Sequence, residues 1–477
     1  MTRLSIMKKF ALIPILLMMI AAASAQDFPG YRTGNYTGVN GVFYNPANIA
    51  DSRYNFDINL ISFNSLIGNN QASFKLKNLS QSFQGDSLRN QIFGKNAGPS
   101  SGMLSLDIHG PSFMFNINDK TSIAITTRAR AFANVTDCDG KLADKISSDF
   151  NNDPELPYTL ASSQNMRVAV NAWSEYGVSV ARVIVGDGPH FLKAGITLKY
   201  LAGAGNGYIN IDHFNGTIDK DLLQQDAYLS NTSGRIGVGF GGINIDDFSA
   251  SDLTKMKSSG FGSDIGFVYE FRPDCIDKNP DPDKKSCRNP SDYKFKLGLS
   301  ILDIGKIKYK KDAARSGAYD IDINNGERLY LSQLADEGLD NYNEFFSSRP
   351  QYFTPVGASD GSYSVSLPTT LQLEADYNIH GGFFLSLASQ IAINADKTKG
   401  YNSQSYSGVA LTPRYESRIF GFYLPVQYNE LTKLNAGISL RFGPVFIGSG
   451  SVLTALMSES KQADIHFGLR FGGLKRS

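Results

Sequence analysis

Hydrophobicity in this chain alternates with a period of two over runs of about nine residues, and the runs recur as far as residue 471. Successive side chains of a strand point to opposite faces, so each run is a strand with one apolar and one polar face. About nine to eleven residues is also the length that crosses a bilayer as a tilted strand. In 192–200, Leu192, Ala194, Ile196, Leu198 and Tyr200 share one face, opposite Lys193, Gly195, Thr197 and Lys199. In 293–301, Tyr293, Phe295, Leu297, Leu299 and Ile301 do the same, and 371–379 sets Leu371, Leu373, Ala375, Tyr377 and Ile379 against Gln372, Glu374, Asp376 and Asn378. The runs 434–442 and 463–471 complete the clear set. Weaker runs lie at 55–66, 102–117, 121–133, 166–172, 175–185, 206–212, 235–240, 261–272, 382–393, 405–416 and 418–428. Together they predict roughly 14 to 16 strands, as in a medium-sized membrane barrel.

A secreted sandwich or propeller also alternates, and three features favour the barrel over it. The polar faces carry charge, at Lys193, Lys199, Glu374, Asp376 and Arg441, which a wet lumen tolerates and a packed core does not. Rings sit near strand ends, at Tyr200, Tyr377, Phe420 and Tyr428, as in the aromatic girdles of membrane barrels. Long polar segments separate the strands, including 78–100, 137–165, 213–234, 242–260, 273–292 and 306–364. Short turns at 379–382, 429–433 and Gly443-Pro444 predict the periplasmic end. Helix-like stretches at Leu79–Phe93 and Leu329–Phe346 are expected on the loops or as plugs in the lumen. The glycines at 177, 195, 266, 298, 437 and 468 let strands bend and pack closely. The fold class is therefore all-β, a transmembrane antiparallel β-barrel of about 14 strands.

Composition agrees. The 477 residues hold 46 Gly, 31 Phe and 23 Tyr beside one Trp, a mixture that suits a large β protein. Lys and Arg number 46 against 45 Asp and Glu, so a nucleic-acid partner is not indicated. Arg3, Lys8 and Lys9 precede an apolar run, Phe10 to Ile20, and an Ala23-Ser24-Ala25 exit, which together predict a signal peptide over 1–25. Outer-membrane lipid is then the expected surroundings of the barrel, and the cell outer membrane its place. Of three cysteines, Cys275 and Cys287 bracket a polar loop and form a candidate disulfide, with unpaired thiols as the alternative.

Residues 38–50 contain Asn45-Pro46-Ala47 after two aromatics and just before the first strand-like run. This resembles the Asn-Pro-Ala segment of the FadL-type long-chain fatty acid transporters and the related PorV-type barrels. The resemblance implies that residues 26–50 fold into the lumen as a hatch, with 51–477 as the barrel. A broader resemblance rests on Gly110-Pro111-Ser112-Phe113-Met114, Trp173-Ser174-Glu175-Tyr176-Gly177, Asp264-Ile265-Gly266-Phe267, Leu302-Asp303-Ile304-Gly305, Leu367-Pro368-Thr369-Thr370 and Thr412-Pro413-Arg414-Tyr415-Glu416. Taken in order, these segments resemble an uncharacterised family of Bacteroidota outer-membrane barrels grouped with the PorV-like and FadL-like proteins. That resemblance implies place and fold more than activity.

Glu175, Lys193, Glu374, Asp376, Arg414 and Glu416 form a candidate charged network in the lumen, structural or water-lining rather than catalytic. Trp173 is expected at the membrane interface. His109, His190, His213, His380 and His466 are scattered, and no nucleophile, metalloprotease or phosphate-loop motif occurs, so neither an enzyme nor a metal or cofactor is indicated. Gly203-Ala204-Gly205-Asn206-Gly207 reads as a hairpin turn. Two functions follow from the resemblances: passage or binding of a hydrophobic small molecule, as in FadL-like proteins, or a scaffold or shuttle for secreted or surface proteins, as in PorV-like ones. An apolar lumen with a lateral gap points to the first, and a charged, plugged lumen to the second.

Overall fold

A row of strands that all have one apolar face can satisfy every backbone group in lipid only by closing on itself, and this chain closes. The computed structural model describes residues 27–78, 99–139, 142, 156–161, 166–186, 188–242, 258–273, 293–335, 341–357, 361–393 and 399–475. The signal peptide, Cys275 and Cys287, and the helix-like stretch 79–93 lie outside the described residues. Fourteen antiparallel wall strands follow in chain order. They are β1 (Tyr54–Asn69), β2 (Ser100–His109 continued by Ser112–Asn116), β3 (Thr121–Cys138), β4 (Met166–Val185) and β5 (His190–Asp221). Next come β6 (Ser258–Phe271), β7 (Phe295–Lys310), β8 (Thr370–His380), β9 (Phe383–Ala392) and β10 (Gly408–Glu416). The last are β11 (Phe420–Tyr423 with Val426–Asn429), β12 (Lys433–Ala436 with Ile438–Phe442), β13 (Val445–Ser449) and β14 (Gln462–Leu474). β14 pairs with β1 from Tyr54↔Leu474 to Gly68↔Gln462, which closes the barrel.

The sixteen sequence runs map onto this wall with particular departures. Runs 166–172 and 175–185 are one strand, β4. Runs 192–200 and 206–212 are also one, β5, because Gly203–Gly207 continues the strand instead of turning it. There β5 carries an irregularity in its pairing with β4, where Ala172 and Trp173 face Gly205 and Gly203. Run 235–240 belongs to a strand outside the wall, Asp226–Gly242. β13 escaped notice because its five residues are too few to display a period.

The faces follow the alternation. Apolar side chains such as Ile67, Ile125, Val178, Leu198, Leu297, Leu440 and Phe467 project from the outside, each at least 40% exposed. A continuous apolar exterior of this kind is a lipid-facing surface. Inward positions hold buried polar residues, among them Asn59, Asp107, Arg128, Lys199, Ser300, Asp376, Asn435 and Arg441. Two aromatics depart from expectation. Tyr293 precedes β7 and is buried, donating a hydrogen bond to Asp376 at 2.5 Å. Trp173 is fully buried inside, its Nε1–H donating to Glu175 at 2.7 Å and its ring stacked with Phe132.

Short connections at 117–120, 186–189, 381–382, 417–419 and 443–444 mark one end of the barrel, and residues 51–53 and 475 lie at that same end. The turn at 430–432 belongs to the opposite end, since β11 runs away from the short-turn rim. Beyond that far rim β5 continues past the wall and pairs with Asp226–Gly242, which pairs in turn with Gly317–Ile323. The described residues of the helix-like stretch 329–346 pack on this outer sheet, in a short strand (Leu329–Tyr330) and helices Ser332–Ala335 and Tyr342–Ser347. Phe214, Ile218, Ile236, Phe345, Phe346 and Phe353 form its separate apolar core.

Candidate functional site

Residues 28–50 are almost all buried, and their partners are inward side chains from around the barrel. The segment therefore lies within the lumen. It contains no regular element longer than three short 3-10 turns, so its backbone groups depend on wall side chains for partners. The amide of Val39 donates to Asp57 at 2.7 Å. Asn35 donates through its backbone and side chain to Glu416 at 3.1–3.2 Å. Asp57 is in turn paired with Arg470 at 2.6 Å, which also donates to Tyr31 and to the backbone oxygen of Tyr36. Burial pushes the Tyr31 phenol up to about 12, so it stays a neutral partner for that guanidinium at physiological pH. Gly38 sits at φ +56, and a Cβ there would fall 2.0 Å from Asp57 Oδ2, which leaves glycine as the residue that fits.

Asn45, Pro46 and Ala47 form a wedge. The Asn45 side-chain oxygen accepts from the Ala47 amide at 2.9 Å and caps the turn Pro46–Ile49. Its Nδ2 donates to the carbonyls of Phe267 on β6 and Leu299 on β7, at 3.0 and 3.3 Å. The wall under the wedge is glycine on three adjacent strands: Gly195, Gly266 and Gly298. A Cβ at Gly195 would lie 2.5 Å from Pro46 C and Ala47 N, and one at Gly266 2.1 Å from Asn45 Oδ1.

The six charged residues read from the sequence all face inward, divided among separate groups. Glu175 lies with Arg130 at 3.3 Å and Lys199 at 3.6 Å, and both cations also reach Asp303, at 2.7 and 2.6 Å. Lys193 pairs with Glu270 at 2.6 Å, beside Arg272, which holds Asp51, the residue just after the lumenal segment, at 2.8 Å. Glu374 pairs with Lys296 at 3.0 Å. Asp376, Arg414 and Glu416 form one fully buried triad, at 2.6 and 3.1 Å. The network lacked Asp57, Asp107, Arg128, Arg130, Asp264, Asp303 and Arg272. Several of these lie on polar faces of weaker runs, where alternation alone would have included them; Arg272 sits just past a strand end.

Above the lumenal segment, towards the far rim, is a cavity with two kinds of wall. Phe43, Leu66, Met103, Phe132 and Leu302 line it with apolar surface, and Asp27, Arg32, Arg128, Arg130, Asp303 and Gln372 with polar groups. Ser405 and Tyr406 also line it. Burial and the neighbouring Asp107 raise the Asp27 carboxyl above the usual carboxylate range.

The model of a family of unknown function, DUF5723, matches residues 46–450. A sequence search of curated proteins found no match. Among solved structures, the chain is similar to the TodX deltaS2S3 mutant monoaromatic hydrocarbon channel, at 9% identity and TM-score 0.46, covering 96% of this chain and 98% of that one. It is also similar to a Pseudomonas aeruginosa FadL homologue, at 10% identity and TM-score 0.43, over 94% and 98%. A third similar structure is the Ralstonia pickettii toluene transporter TbuX, at 9% identity and TM-score 0.40, over 94% and 97%.

Proposed function

The chain belongs to DUF5723, a family of unknown function, and we propose that it is an outer-membrane barrel that binds a small hydrophobic molecule and passes it across the membrane, with residues 26–50 as its hatch. The observation that carries this reading is the two-sided cavity above the lumenal segment. Its wall of Phe43, Leu66, Met103, Phe132 and Leu302 offers apolar contact to a molecule entering from the far rim, and its polar wall offers partners to whatever polar group that molecule carries. Wedge residues Asn45, Pro46 and Ala47 hold the hatch on the wall, and Glu175, Lys193, Glu374, Asp376, Arg414 and Glu416 keep the lumen around it charged and hydrated.

The test is to purify the tagged protein from outer membranes in mild detergent and identify the small molecules extracted from it by mass spectrometry. A retained apolar compound, lost in Phe132→Arg while the barrel keeps its heat-dependent gel mobility, is the expected result. A wild-type barrel that retains nothing apolar and binds no added apolar probe overturns it.

A second reading, a PorV-like scaffold for secreted or surface proteins, is favoured by the charged, occupied lumen and by the outer sheet with its own apolar core. A surface protein co-purifying in stoichiometric amount would replace the first reading with this one.

A further inference from the structure

The lumenal segment does not touch the wall equally on all sides. Against β5 and β6 it is in backbone contact, as the Cβ positions at Gly195 and Gly266 show. Against β7 and β8 the contact is made by hydrogen bonds, from Ser300 to the Tyr44 carbonyl at 2.8 Å and from Arg32 to Gln372, and a Cβ on Gly298 would meet Glu374 Cβ at 3.3 Å and Asn45 Nδ2 at 3.6 Å, the backbones staying apart around a small cavity. That cavity is one of three in file. The upper cavity and the middle one share Arg32, Tyr44 and Gln372. The middle one runs past Gly298 and Ser300 to Glu374. The lower one begins at Gly34, Asn35 and Lys296 and reaches Asp51 and Arg53 near the short-turn rim. The file is narrowed at two places: the hydrogen bond from Arg32 to Gln372, 2.7 Å, and the Lys296–Glu374 ion pair, 3.0 Å.

Its chemistry is that of water. The lower cavity is lined almost wholly by polar and charged groups and glycine. Among the described residues Arg32 is buried, has no carboxylate within 4 Å and makes one side-chain hydrogen bond, and it lines both the upper and the middle cavity, so its other donors are open to water there. A polar space with several convergent donors and acceptors holds water rather than standing empty.

We propose that a water-filled seam between the lumenal segment and the β7–β8 wall passes water and small inorganic ions across the barrel while the segment stays in place, with Lys296 and Glu374 as its charged constriction. This activity goes beyond the proposed function and does not depend on it, since neither a hydrophobic molecule nor movement of the segment is required.

The experiment is conductance of the full-length protein in planar lipid bilayers in potassium chloride. The wild type is expected to give a small, steady conductance. Gly298→Leu, which puts a bulky side chain against the middle cavity, is expected to lower it severalfold. Lys296→Ala with Glu374→Ala, which removes the constriction, is expected to raise it severalfold. Glu374→Gln leaves Lys296 unpaired and is expected to move the reversal potential in a salt gradient towards anion selectivity. Heat-dependent gel mobility confirms a closed barrel in each variant. A wild-type conductance equal to that of bare lipid, or an ion current that Gly298→Leu leaves unchanged in a closed barrel, overturns the proposal. Failure of the hydrophobic-molecule reading would show instead as no retained compound with the conductance intact.

Discussion

On its β5–β6 side the lumenal segment is pressed onto the wall backbone, and on its β7–β8 side it meets the wall through single hydrogen bonds with a cavity between them. The same residue, Asn45, reaches both, yet Gly266 and Gly298 beneath it differ in room: Asn45 Oδ1 is 2.1 Å from one Cβ position, and nothing is closer than Glu374 Cβ at 3.3 Å to the other. The tight side carries an ion pair at the point where the segment ends, between Arg272 and Asp51. On the loose side Lys296 finds its ion-pair partner in the wall, at Glu374. The lesson is that one well-packed face is enough to fix the segment, and the other face can be held by a few hydrogen bonds around cavities.

The largest effect is expected on the tight side. Arg272→Met leaves Glu270 and Asp51 buried with one cation fewer, and removing one partner of a buried pair costs about 3–5 kcal/mol. The loss should appear as a lower urea midpoint for the heat-modifiable form. Gly266→Ala comes next. Overpacking against Asn45 is expected to cost about 1–3 kcal/mol and to open the segment to limited proteolysis. Asn45→Ala removes a cap and two bonds to wall carbonyls, for about 1–2 kcal/mol by the same denaturation assay. Gly298→Ala is the smallest, below about 1 kcal/mol, because the methyl group meets Glu374 Cβ at 3.3 Å and Asn45 Nδ2 at 3.6 Å, contacts that a shift of a few tenths of an ångström relieves. If Gly266→Ala and Gly298→Ala destabilise equally, the two sides do not differ and the comparison fails.

Much of the wall was legible in the sequence because lipid on one side and a wet lumen on the other enforce strict alternation. Lys193, Glu374 and Asp376 point inward as their parity requires. Parity fails where a strand ends: Tyr293 lies before β7 and turns inward. Trp173 has the right parity for the lumen, and treating it as an interfacial anchor gave ring type more weight than position. Glycine at 203, 205 and 207 misled because the same residue that allows a turn also allows the close strand contacts found there. Which carboxylate pairs with which cation was not legible at all. The partners of Lys199 come from β4, β6 and β7, and only closure of the wall brings them to one place.

The rim where the chain enters β1 and leaves β14 is a single knot, with the Lys475 amide donating to the Arg53 carbonyl at 2.8 Å and the Lys475 side chain reaching Asp51 at 3.3 Å. The strand made last is thus the one that shuts the first, directly beside the point where the lumenal segment joins the wall. With the segment laid inside before the final pair zips, it need not be threaded through a closed lumen past the ion pairs of Arg272 and Arg470. The order of synthesis, segment ahead of β14, suits that sequence of events.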